Sequence, residues 1–86
     1  MYRNEARKHL AKENFTNYNF FEYKQDFPTE LTVKQEGNRF FVYETDHLAV
    51  KIPESVRICR TEEDAIEEFF ERLYEKNNKE IPPWLV

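Results

Sequence analysis

The 86-residue sequence predicts an α+β domain in which a small antiparallel β-meander packs against a C-terminal amphipathic helix, with a short N-terminal helix. Three patterns carry this prediction: two alternating segments around the only glycine, an apolar helical stripe near the C-terminus, and a weaker helical pattern at the start. A chain this short buries only about 60–65% of the surface that its unfolded form exposes. We therefore expect one domain over residues 1–80, with three to five strands, followed by a tail over residues 81–86.

The opening segment predicts a short helix. Tyr2, Ala6 and Leu10 recur at helical spacing with charged residues between them, and Asn14 can end the helix. Leu10 is the only strong aliphatic anchor on that face, and a short helix gains most of its stability from tertiary contacts. We therefore expect this helix to depend on the rest of the domain.

Residues 15–27 form the most aromatic segment, with six Phe and Tyr residues. Aromatic residues favour strands, but adjacent Phe20 and Phe21 fit neither a half-buried strand nor a narrow helical stripe. We predict a strand around residues 18–24, and a helix remains the alternative. Pro28 disfavours helix at the residue before it, so the segment ends there.

The segments LTVKQE and RFFVYE predict a β-hairpin. Gly37 and Asn38 lie between them, and glycine readily takes the positive φ that a tight two-residue turn requires. With that turn, Val33 faces Val42 across the hairpin. Side chains alternate along each strand, so the sheet has two faces. One face carries Leu31, Val33, Phe40 and Val42, and the other carries Thr32, Lys34, Phe41 and Tyr43.

Two further strands and a helix complete the predicted domain. LAVKI, residues 48–52, alternates like a strand before Pro53, and residues 56–58 predict another short strand. Thr61 is typical of a helix N-cap, and Asp64 three residues later resembles a capping box. The buried stripe of this helix is predicted to be Ile66, Phe69, Phe70 and Leu73.

The tail carries the only tryptophan. Two prolines keep the chain extended and bring Trp84, Leu85 and Val86 together as one apolar group. Burying this group contributes on the order of 3–6 kcal/mol before the cost of ordering. We therefore expect the tail to dock on its own domain, with capture by a partner protein or a second copy as the alternative.

Charge is distributed unevenly. The net charge is −4, and residues 61–86 carry three basic and eight acidic side chains, a balance of −5. This balance argues against general binding to nucleic acid phosphates. The acidic helix could instead mimic the phosphates of DNA and so inhibit a DNA-binding protein. Its row of carboxylates is interrupted in the sequence by Arg72, Lys76 and Lys79.

The expected environment is the cytoplasm. Cys59 is the only cysteine, so no internal disulfide can form, which fits a reducing compartment. The charged N-terminus does not resemble a signal peptide, and no segment approaches the ~20 apolar residues of a membrane-spanning helix. We therefore expect a soluble cytoplasmic protein without a membrane partner.

No catalytic residue, metal site or cofactor is predicted. His9, His47 and Cys59 lie far apart in the sequence and lack a paired metal-binding spacing such as CxxC. A single glycine cannot build a phosphate-binding loop. Neither Cys59 with His47 nor Glu67 with Glu71 lies in a sequence context that would activate it. We expect no enzyme activity and no small-molecule substrate.

These features favour a small protein that binds another protein, as an inhibitor, adaptor or regulatory subunit, including one encoded by a phage or mobile element. Self-association as a homodimer through the sheet belongs to the same class. The alternative is a module for single-stranded nucleic acid, with bases stacked on Phe41 and Tyr43 beside Lys34 and Lys51. The candidate partner-binding residues are Lys34, Phe41, Tyr43, Trp84, Leu85 and Val86.

Overall fold

The computed structural model describes residues 1–85, which form a four-stranded mixed sheet and two helices. The sheet has the strand order β1-β2-β3-β4, and β1 and β4 are therefore its edges. The predicted α+β class is confirmed. The helices are α1 (Arg3–Lys12) and α2 (Glu62–Lys76), and the strands are β1 (Tyr18–Phe20), β2 (Leu31–Glu36), β3 (Arg39–Glu44) and β4 (Arg57–Cys59).

Strands β2 and β3 form the predicted hairpin. Gly37 takes a φ of +60°, as the first central residue of a type II′ turn requires. Val33 pairs with Val42, so the predicted register is confirmed. Strand β4 then pairs antiparallel with β3, close to the short strand predicted at residues 56–58.

The first strand departs from the predicted antiparallel arrangement. β1 pairs with β2 in parallel, with Tyr18 opposite Leu31. The strand is also shorter than the predicted 18–24, because Phe21 takes a φ of +60° and leaves the extended conformation. Residues 21–30 then return the chain to the start of β2. Alternation within a strand reports its faces but not the direction of its neighbour, so the sequence pattern could not distinguish these arrangements.

The strand predicted for LAVKI is replaced by a tight turn. The Asp46 carboxylate accepts hydrogen bonds from the backbone N–H groups of Leu48 (2.8 Å) and Val50 (3.0 Å). The hydrogen bond from the Val50 N–H lowers the pKa of Asp46 below its ordinary value, and the hydrogen bond from the Leu48 N–H lowers it further. Ala49 takes a φ of +65°, which no strand accommodates. The hydrogen bonds of the Asp46 side chain therefore replace the backbone hydrogen bonds that a strand would form. What remains of the predicted strand is an isolated β-bridge between residues 45 and 51.

Helix α2 provides the centre of the core. The Thr61 hydroxyl accepts a hydrogen bond from the Asp64 backbone N–H at 3.1 Å, which confirms the predicted N-cap. The predicted stripe of Ile66, Phe69, Phe70 and Leu73 is buried. It packs on the inner face of the sheet, which consists of Leu31, Val33, Phe40 and Val42 together with Phe20.

Helix α1 packs beside α2 through Ala6 and Leu10, both buried. Tyr2 was expected on the same face, but it lies before the first turn in an extended conformation and is 62% exposed. The start of α1 is attached to the start of α2, because the Glu62 carboxylate accepts hydrogen bonds from the Arg3 backbone N–H and the Arg3 Nε–H, both at 3.0 Å. Neither helix of residues 1–85 has the length and apolar character needed to cross a membrane.

Replacing Phe69 with alanine should destabilise the protein by about 3–5 kcal/mol, because the ring is fully buried and its loss leaves a cavity. Urea denaturation followed by circular dichroism measures this change. Ile58→Ala serves as the control, since Ile58 is exposed and its truncation should cost less than about 0.5 kcal/mol. Equal losses in the two variants would contradict the described core.

Candidate protein-binding surface

The outer face of the sheet, opposite α2, has a covered half and an open half. Residues 21–30, here termed the β1–β2 connection, cross the half formed by β1 and β2. Asn19 and Thr32 are buried beneath this connection. The Asn19 side chain holds its beginning, since its Oδ1 accepts from the Glu22 N–H at 2.9 Å and its Nδ2 donates to the Glu22 carbonyl at 3.1 Å.

Three polar groups hold the later part of the β1–β2 connection. Lys24 Nζ lies 2.8 Å from both carboxylate oxygens of the buried Glu30. The Thr45 hydroxyl accepts from the Glu30 backbone N–H at 2.9 Å and donates to the Phe27 carbonyl at 2.7 Å. These contacts give the connection a specific conformation against the sheet, which keeps the β1–β2 half covered.

Tyr43 lies beneath the same connection and has no exposed surface. Its hydroxyl donates to Asp26 Oδ1 at 2.7 Å, and the ammonium groups of Lys34 and Lys51 lie 5.3 and 4.3 Å from the centre of its ring. Burial raises the pKa of the Tyr43 hydroxyl, and the hydrogen bond to Asp26 raises it further. A ligand could therefore reach this ring only by displacing the connection.

The open half lies on β3 and β4. Phe41 and Ile58 are opposite each other in the register of these strands. Phe41 is half-buried, whereas Ile58 is 54% exposed. Lys34 lies opposite Phe41 on its other side, at the border with the covered half. The result is a small apolar surface with a basic border.

The open half continues to an unpaired strand edge. The β2–β3 hairpin turns over two residues, so Glu36 and Arg39, the pair next to the turn, are hydrogen-bonded to each other. From there, every second residue of β3 bonds to β2, and the residues between them direct their backbone groups to the other side. Phe40 and Val42 therefore direct their backbone groups towards β4, where they meet Cys59 and Arg57. The backbone N–H and C=O of Ile58, between those two residues, point away from the sheet.

A groove of about 210 Å³ runs between this edge and α2. Glu68 is neutralised within it, because its carboxylate lies 2.6 Å from Arg57 and 2.7 Å from Arg72. The other carboxylates form no ion pair with any residue in the described part of the chain, so the groove is acidic. Its lining consists of Arg57, Asp64, Glu67, Glu68 and Glu71.

The linear sequence indicates that basic residues of the C-terminal third interrupt the carboxylate row, but the structure directs them away from it. Arg72 and Lys76 pair with Glu44 on β3, at 3.7 and 3.4 Å. Lys79 pairs with Glu13 beyond the end of α1, at 2.6 Å. Helical spacing of four residues therefore leaves one exposed acidic row, which consists of Glu63, Glu67, Glu71 and Glu75.

The C-terminal residues lie on the helical layer, on the other side of the sheet from Phe41. The Trp84 ring stacks on His9 with a centroid distance of 3.7 Å and an interplanar angle of 11°, and meets Phe70 edge-on at 5.1 Å. Leu85 is buried, and Val86 lies outside the described residues. The structure thus separates the candidate residues into Lys34, Phe41 and Tyr43 on the outer sheet face, and Trp84 and Leu85 on the helices.

The structure places Cys59 in β4 and His47 outside the strands, whereas Glu67 and Glu71 both line the groove. Cys59 is buried, and burial raises the pKa of its thiol, which disfavours the reactive thiolate. His47 is exposed in the turn after β3. In residues 1–85, no three side chains among His, Cys, Asp and Glu are grouped so that they could hold a metal ion.

Sequence reasoning missed Ile58 and the acidic groove. The segment VRI, residues 56–58, does show alternation, but three residues cannot indicate which strand pairs with them or whether they lie at an edge. Comparisons with protein-family models, curated proteins and solved structures found no match. The interpretation of the surface therefore depends on its own geometry and charge.

Replacing His9 with alanine should shift the Trp84 emission maximum to longer wavelength, because the stacked imidazole shields one face of the indole from water. The fluorescence of the folded variant measures this effect. Lys8→Ala, at the neighbouring exposed position of α1, should leave the spectrum unchanged. An unchanged spectrum in the His9 variant would contradict the stacked arrangement.

Proposed function

We propose that the protein acts by binding another protein through the open half of its outer sheet face, as an inhibitor, adaptor or regulatory subunit. The supporting observation is the exposed Ile58, which lies beside Phe41 at an unpaired strand edge. An unpaired strand edge presents backbone N–H and C=O groups with which another chain can pair, and Ile58 adds exposed apolar surface at this edge.

The contrast between the two halves of the face supports the same proposal. The β1–β2 half is covered by the chain itself, with Glu30 and Asp26 among the residues that hold the cover in place. No comparable segment of residues 1–85 crosses Ile58. A partner that covers Phe41 and Ile58 would gain roughly 25 cal/mol for each Å² of apolar surface removed from water.

Single-stranded nucleic acid is the less favoured ligand for this surface. Of the two rings expected to stack on bases, Tyr43 is fully buried and only Phe41 remains accessible. Lys34 has a nearby carboxylate in Glu36, at 3.7 Å, and the adjacent groove is acidic. Stacking on one half-buried ring beside unpaired carboxylates offers little to a polyanion.

Ile58→Arg should reduce capture of the partner protein from an extract of the source cell by at least about tenfold, because it places a charge in the contact surface. Leu48→Arg is the matched control, since Leu48 is 70% exposed but lies in the turn after β3. Quantitative mass spectrometry after cross-linking measures the captured protein.

Equal capture by the Ile58 and Leu48 variants would overturn the proposal. If capture instead depended on the exposed acidic row, tested with Glu63→Gln and Glu75→Gln, the acidic DNA mimic would become the better interpretation. Both residues are exposed, so their substitution should not disturb the fold.

A fluorescently labelled single-stranded oligonucleotide should show no salt-dependent binding to the wild-type protein, because the open half lacks the basic surface that phosphates require. Fluorescence anisotropy at low and physiological salt measures this directly. Salt-dependent binding that is lost in Phe41→Ala would favour the nucleic-acid alternative.

A further inference from the structure

If the proposed function is correct, the two sides of the β4 edge indicate which side chains the partner protein carries. The outer side is apolar, with Ile58 and Phe41, and the inner side is the acidic groove. We propose that an extended segment of the partner adds to β4 as a fifth strand, and that this segment alternates apolar and basic residues. Addition of a strand to a free sheet edge is a common mode of peptide recognition, in which backbone bonds give affinity and side-chain alternation gives specificity.

The backbone of β4 can accept such a strand. β4 is the last strand of the sheet, and Arg57 and Cys59 use their ladder groups on β3. Among the described residues, no backbone hydrogen bond from Ile58 to another segment is found outside the sheet ladder. Its outward N–H and C=O are the pair that an added strand would satisfy.

The side chains on the two sides of the edge require different residues in the segment. On the outer face, Ile58 and Phe41 favour apolar residues. On the inner side, the added strand would lie along the acidic groove, where Lys or Arg could pair with Asp64, Glu67 and Glu71. Since side chains alternate along a strand, one extended segment can meet both requirements only if apolar and basic residues alternate.

A second copy of the chain fits this edge less well. Pairing two β4 edges about a twofold axis would place the two acidic grooves next to each other. Each groove contributes Asp64, Glu67 and Glu71, which form no ion pair in the described residues. Repulsion between like charges opposes that arrangement, so a basic segment of another protein is the better occupant.

A synthetic peptide of about nine residues that alternates valine and lysine should bind the full-length protein, and a valine–glutamate peptide should bind at least about tenfold more weakly. Fluorescence anisotropy gives the affinities. In the free protein the Ile58 amide should exchange with solvent faster than the amides of Arg57 and Cys59, and binding of the peptide should slow it. Amide hydrogen exchange followed by NMR measures that local protection.

Backbone methylation of the peptide tests strand addition itself. N-methyl groups on one alternate set of residues would face β4 and abolish binding, whereas the same groups on the other set would face solvent and leave it intact. In an antiparallel pair the valine opposite Ile58 bonds to its backbone, so methylation of the valines should abolish binding. In a parallel pair the lysines on either side of that valine form these bonds, so methylation of the lysines should abolish binding. Equal effects of the two sets would overturn the proposal.

The groove is tested by combining Glu67→Gln with Glu71→Gln. This variant should bind the valine–lysine peptide about tenfold more weakly and with less dependence on salt. The control combines Glu5→Gln with Glu80→Gln, which removes the same charge from exposed positions outside the groove and should leave the affinity unchanged.

The two proposals fail separately. If no valine–lysine peptide binds while Ile58→Arg still prevents capture of a partner protein, the partner-binding surface stands and strand addition by a basic segment is refuted. If the Ile58 amide becomes protected as the concentration of the protein alone rises, the edge pairs with a second copy, and the proposed occupant is wrong.

Discussion

The contact between the apolar stripe of α2 and the inner face of the β2–β3 hairpin determines the rest of the structure. Phe69 and Phe70 are fully buried there, against a sheet face that includes Val33 and Val42. Once α2 covers this face, the alternation of the strands directs Phe41 and Tyr43 to the other face. No helix of residues 1–85 covers that other face, and the chain covers half of it with the β1–β2 connection.

The β1–β2 connection and the turn after β3 both require backbone conformations that glycine adopts most readily, but the only glycine of the sequence lies in the β2–β3 hairpin. Phe21, Thr29 and Ala49 all take positive φ values, between 53° and 65°, and such conformations cost of order 1 kcal/mol or more for residues with a side chain. Nearby contacts offset the cost. Phe21 is buried beneath the guanidinium of Arg3 at 3.8 Å, and the turn around Ala49 is held by the Asp46 carboxylate. Side-chain contacts therefore stabilise turns that glycine more often provides.

The charges of α2 are divided between structure and surface. Glu68 and Arg72 connect the helix to β3 and to the segment before β4, because Arg72 pairs with Glu44 and donates to the Ser55 carbonyl at 2.6 Å. The other carboxylates beside β4, which are Asp64, Glu67 and Glu71, have no such partner in the described residues. Helix α2, which is acidic overall, thus uses its basic residues in ion pairs within the domain and leaves unpaired negative charge next to the free edge of β4.

The sequence by itself determined the hairpin and the core-facing stripe of α2, because both depend on local turn chemistry and on short repeats, as Gly37 and Thr61 illustrate. Tertiary structure decided the parallel direction of β1, the burial of Tyr43 and the exposure of Ile58. Each of these depends on which distant segment lies alongside a strand, and the alternation of side chains carries no information about that neighbour.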